Sequence, residues 1–83
     1  MKLALITAFQ RKDQTSGQLQ RTHVVGHYKV FSHDGQRKVL QIDTLGSEQR
    51  EIPGKVSQTI QLSEDSARAL WTLLGREFGF SER

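Results

Sequence analysis

The chain has no cysteine, one proline and few aromatic residues, at 7% of its 83 positions. Without cysteine it has no disulfide staple, no thiolate nucleophile and no cysteine-based zinc site. Long apolar runs are also missing. The longest, Leu3 to Phe9, is broken by Thr7 and falls far short of the ~20 residues that cross a bilayer, so no membrane partner is expected. Met1-Lys2 followed by Leu3-Ala4-Leu5-Ile6 has the outline of a secretion signal. However, Gln10-Arg11-Lys12-Asp13 stands where a small-residue cleavage site belongs. The segment therefore reads as a first strand, with a cytoplasmic location as the default.

The signatures of common chemistries are lacking too. No Gly-x-Ser-x-Gly elbow or dinucleotide fingerprint occurs. The phosphate-loop pattern fails because Val56 follows Gly54-Lys55 and Gln49 stands at the leading glycine position. His23 and His27 are four apart, which on a strand is ~13 Å, too far for one metal ion. No catalytic residues, no metal and no cofactor are expected, and the chain reads as a non-enzyme.

What remains is one small domain spanning residues 1–83, since a chain this short supports a single core. Strands are expected near 2–9, 21–31, 38–45 and 57–62, and a helix near 64–78. In the first strand Leu3, Leu5, Thr7 and Phe9 share a face, and Ala4, Ile6 and Ala8 the other. Residues 10–20 are polar and contain Ser16-Gly17, so they read as a long loop. In the second strand Thr22, Val24, Gly26, Tyr28 and Val30 point inward; Arg21, His23, His27 and Lys29 point out, with Val25 and Phe31 among them. Asp34-Gly35 marks a turn. Leu40 and Ile42 face inward on the third strand, and Val39, Gln41 and Asp43 outward.

This alternation fixes a register. Val30 opposite Leu40 and Tyr28 opposite Ile42 keeps apolar residues on one face, with Lys29–Gln41 and His27–Asp43 on the other. A slip of one residue would invert every face. That register needs an odd-length turn or a bulge, and it makes His27–Asp43 a cross-strand ion pair. Residues 46–56 hold the Pro53-Gly54 turn signal. On the fourth strand Ile60 and Leu62 face inward and Ser57, Thr59 and Gln61 outward.

Ser63 suits a helix N-cap, and Glu64 and Asp65 suit the positive end of the helix dipole. Ala67, Leu70, Trp71, Leu74 and Phe78 form a stripe at helical spacing, with Trp71 assigned to core packing. Gly75 weakens the helix interior and Gly79 ends it. Arg68 and Arg76 balance Glu64 and Glu77. The expected fold is α+β: a four-stranded antiparallel sheet followed by one C-terminal helix on one face. A helix ~10–12 Å wide cannot cover four strands at ~4.8 Å spacing, so a homodimer is expected to complete the core.

The outer sheet face gathers the candidate binding groups. Arg21, His23, Lys29 and Phe31 come from the second strand, Arg37 and Lys38 from the hairpin end, and Arg50 and Lys55 from the loop beyond. Residues 1–62 hold nine Lys/Arg against five acidic residues, and residues 63–83 hold three against four. Basic and hydrogen-bonding groups on an open sheet suit a phosphate backbone.

Residues 39–74 resemble the PC4-like family of single-stranded nucleic-acid-binding coactivators. The resemblance rests on Pro53-Gly54-Lys55, then Ser57-Gln58-Thr59-Ile60-Gln61-Leu62, then Ser63-Glu64-Asp65 opening the helix. It implies a dimer whose curved sheets grip separated strands through Lys and Arg, with Lys55 as the loop lysine. The leading expectation is therefore a small protein that binds single-stranded DNA or RNA on the outer face. The alternative is a non-catalytic interaction subunit that docks a larger partner through Val25, Val39, Phe31 and the 10–20 loop, or through a strand edge. A continuous positive stripe on the sheet would favour nucleic acid; an apolar patch with mixed charge would favour protein.

Overall fold

A computed structural model describes residues 2–45 and 56–80, apart from the side chains of Lys2, Val56 and Ser57. Strands β1 (Lys2–Ile6), β2 (Gly26–His33), β3 (Arg37–Leu45) and β4 (Val56–Leu62) precede helix α1 (Glu64–Phe78). The strands lie side by side in the order β1-β4-β3-β2. The fold is α+β, with the helix packed against β3 and β4.

The sheet is mixed, which corrects the expected all-antiparallel arrangement. β2, β3 and β4 pair antiparallel, but β1 runs parallel to β4. A tight hairpin forces antiparallel neighbours; a parallel neighbour needs a long connection. Residues 7–25 supply the length that takes the chain from the β1 edge to the β2 edge. They hold no strand or helix and are exposed throughout, so the expected loop at 10–20 is present and is longer at both ends. β1 stops at Ile6, short of Phe9.

The β2–β3 register is the one the alternation requires: Val30 opposite Leu40, Tyr28 opposite Ile42, Lys29 opposite Gln41 and His27 opposite Asp43. Residues 34–36 form the odd-length turn. Asp34 and Gly35 have φ of 52° and 76°, the left-handed pair of a primed hairpin turn. The Gln36 amide closes it on the His33 carbonyl at 3.3 Å. β2 begins at Gly26, opposite Thr44, and the β3–β4 ladder shifts register just beyond, between Thr44 and Leu45. Among the described residues no strand pairs with residues 21–25, which stay irregular although their apolar alternation suits a strand.

Ser63 caps α1 as expected. Its hydroxyl accepts from the Ser66 amide, and the Ser66 hydroxyl accepts from the Ser63 amide, closing a capping box. Gly79 ends the helix at φ 72°. The N-terminal part of α1 meets the sheet where Ala67 shares a cleft with Val30, Leu40 and Leu62. Among the described apolar residues, Leu62 alone is fully buried, at 2% exposure.

Candidate binding faces of the sheet

Register and alternation sort the side chains into two faces. One face carries two apolar rows that cross all four strands. Ala4, Ile60, Ile42 and Tyr28 form the first, and Ile6, Leu62, Leu40 and Val30 the second. The helix shelters the Leu62–Leu40 centre of the second row. The first row lies open, with Tyr28 76% exposed and Ile60 39% exposed. These residues have the inward parity assigned to them, yet among the described residues Ala4, Ile60 and Tyr28 stay exposed and Ile42 is half-buried.

The other face is polar at its centre. The Thr59 hydroxyl donates to Asp43 Oδ1 at 2.7 Å, and Thr59 is buried. The Gln41 amide donates to both Asp43 oxygens, at 3.1 and 3.3 Å, and its own oxygen accepts from Gln61 at 3.0 Å. These bonds knit β3 to β4 and leave Asp43 turned toward Thr59 and Gln41, in place of the expected ion pair with His27. Leu3 and Leu5 flank this network on β1, and both are exposed. On β2, the Lys29 ammonium sits 5.8 Å from the Phe31 ring centroid, within cation–π range. The centre therefore combines one carboxylate, two coupled amides and apolar margins.

The candidate nucleic-acid residues do not converge on one strip. Lys29, Phe31 and, by alternation, Arg37 belong to the polar face. Lys38, opposite Ser32, has the parity of the apolar face. Arg21 and His23 lie on the irregular segment before β2, with which no strand among the described residues pairs. Arg50 and Lys55, like the Pro53-Gly54 turn, lie outside the described residues. Arg37 is engaged in the turn, its guanidinium 2.5 Å from the Asp34 carboxylate. That hydrogen bond holds the Asp34 carboxyl below its usual range.

A second feature lies where residues 9–14 pass the C-terminal half of α1. Phe9, Lys12, Leu73 and Arg76 line an open groove of 430 Å³. Arg11 is ion-paired with Glu77, and Arg76 stands 3.6 Å from the same carboxylate. The Arg11 hydrogen bond, followed by its charge and by Arg76, lowers the Glu77 pKa. Sequence spacing finds the Arg76–Glu77 neighbourhood, but Arg11 is 66 residues away and has no local signal. The expected Glu64–Arg68 pair is present at 3.9 Å.

Trp71 is a further correction. It is 59% exposed, with Phe78 and Phe80 also exposed. Ala67, Leu70 and Leu74 of the same stripe are half-buried. Among the described residues no three His, Asp or Glu side chains are grouped to hold a metal ion, and no helix is long and apolar enough to cross a membrane. No protein-family model matches the chain, and no curated protein or solved structure matches it.

Proposed function

We propose that this chain is a non-catalytic interaction protein that docks onto protein through the apolar face of its sheet. The observation that carries the reading is the first apolar row, Ala4–Ile60–Ile42–Tyr28, which spans all four strands and leaves Ala4, Ile60 and Tyr28 exposed. Contiguous exposed apolar surface of this kind marks association sites. The polar face supports the same reading, since Asp43 and Lys29 share it with the apolar Leu3, Leu5 and Phe31, which makes it a mixed surface. A second copy of the chain is one such partner; a larger, unrelated protein is the other.

A photo-crosslinking benzophenone residue placed at position 28 in the full chain tests the reading in cells. Irradiation is expected to join the chain to protein, whereas the same group at Gln18, on the polar segment, is not. Failure to cross-link any protein from position 28 would remove the docking role.

Nucleic-acid binding is the second reading, and a specific charge asymmetry favours it. Residues 2–45 hold seven Lys/Arg against three Asp, and Lys29 stacks beside Phe31 on the polar face. The PC4-like resemblance of residues 39–74 agrees with it. In this reading Arg21 and Lys29 contact phosphates and Phe31 or His23 contacts bases.

A further inference from the structure

We infer that the β2 edge of the sheet takes up an extended segment of another protein as a fifth strand, and that this segment alternates apolar with acidic residues. This rests on the docking reading above and names the mode of docking and the chemistry of the partner.

The backbone supplies the first observation. In the strand order β1-β4-β3-β2 the outer side of β2 has no neighbouring strand among the described residues. The Gln36 amide donates to the His33 carbonyl, so His33 turns its backbone groups toward β3. That direction alternates along a strand. His27, Lys29 and Phe31 therefore bond to β3, while the amides and carbonyls of Gly26, Tyr28, Val30 and Ser32 point outward. Among the described residues, the backbone hydrogen bonds outside the helix and the strand ladders are those of the β2–β3 turn and the α1 cap. None reaches this edge. Such an open row is a template for a further strand.

Length selects β2 over the opposite edge. β1 has 5 residues, and short edges are poor templates. β2 has 8, which is ~27 Å of open backbone.

The side chains define what fits. Tyr28 and Val30 end the two apolar rows at this edge and are 76% and 56% exposed. An added strand continues both rows if it sets apolar residues beside them. Lys29 lies between the two in sequence, on the polar face, and is exposed. No carboxylate among the described residues is ion-paired with it. Asp43, on the same face, is hydrogen-bonded to Thr59 and Gln41 instead. An acidic residue beside Lys29 on the added strand makes the cross-strand pair that opposite charges favour. A lysine in mid-edge also disfavours strands that bring no acid to it. The residue that guards the edge thus selects what joins it.

Fluorescence anisotropy with the full chain and a labelled peptide alternating valine and glutamate tests the proposal. Binding is expected, and its absence would overturn the proposal. Two further forms of the peptide, N-methylated at the valines or at the glutamates, each block one alternating set of backbone amides. An added strand uses one set only. One form is therefore expected to lose affinity by about tenfold or more as several hydrogen bonds go, and the other to keep it. Equal responses would overturn strand addition. Lysine in place of every glutamate is expected to weaken binding, and Lys29→Glu to reverse that preference; an unchanged preference would overturn the acidic partner.

Val30→Pro removes an outward amide and spares the β2–β3 ladder. It is expected to weaken binding with the circular dichroism unchanged, and full affinity in the folded variant would overturn this edge. If the variant does not fold, the N-methylated pair decides on the unaltered chain. The position 28 cross-link separates the two levels of the argument. Cross-linked protein together with equal responses to the two N-methylated forms overturns strand addition and leaves the docking reading standing. A product containing this chain alone overturns the foreign segment, and no product removes both.

Discussion

Asp34, Gly35 and Arg37 carry the β2–β3 hairpin at the scale of single residues. Asp34 and Gly35 adopt positive φ, which asparagine, aspartate and glycine tolerate best. Arg37 then reaches back to the Asp34 carboxylate and lowers its pKa. Because the folded value lies below the unfolded one, the stabilisation is present above the unfolded pKa and is lost as pH falls through the folded one. Arg37→Ala should return the Asp34 titration midpoint toward the ordinary aspartate value, read by carboxyl-carbon NMR. An unmoved midpoint would mean that Arg37 does not hold the carboxylate in solution. The same site explains why Arg37 is a poor phosphate ligand in this conformation, since its guanidinium is already engaged.

At the scale of elements, α1 is defined locally from end to end. Its Ser63 cap, its acidic first turn and Gly79 at the C-cap were all readable from residue type and position, and the helix runs over the expected residues. Gly75 is the one weak point in its interior. A Cβ there would meet nothing closer than the Phe80 carbonyl at 3.8 Å, an ordinary contact. Gly75→Ala is therefore expected to stabilise the fold by up to ~1 kcal/mol, seen as a higher denaturant midpoint; a lower midpoint would show that the glycine serves packing. Strand ends were less legible. A strand exists only where a neighbour pairs with it, so the alternation in residues 21–25 came to nothing once the ladder stopped at Gly26–Thr44.

At the scale of the molecule, charge and apolar surface lie on different parts of the chain. The basic excess belongs to residues 2–45, while α1 carries more acid than base. If the sheet binds nucleic acid, affinity should fall steeply with salt as counterions are displaced. Changing Arg21 and Lys29 together to Glu should then abolish binding of labelled single-stranded DNA or RNA, followed by anisotropy, without altering the circular dichroism. Unchanged affinity would exclude the polar face as that surface. The apolar face raises a separate question of stability. A lone chain with one fully buried apolar side chain among its described residues keeps little of the hydrophobic stabilisation that offsets chain entropy, so a partner on that face would add to its stability.

By itself the sequence determined the order of elements, the helix bounds and caps, the β2–β3 register and the inward face of Tyr28, Val30, Leu40, Ile42, Ile60 and Leu62. All of these follow from periodicity, turn chemistry and capping, which act over a few residues. Tertiary structure decided the parallel pairing of β1 with β4, because strand order depends on where a long connection lands. It also decided the Asp43–Thr59–Gln41–Gln61 network, the Arg11–Glu77 pair and the exposure of Trp71. Each joins or separates residues distant in the chain, and no local pattern encodes such distances. The uncovered first row lies between these cases: helix width against sheet width foretold that a face would be left over, and only the position of α1 showed which residues are left.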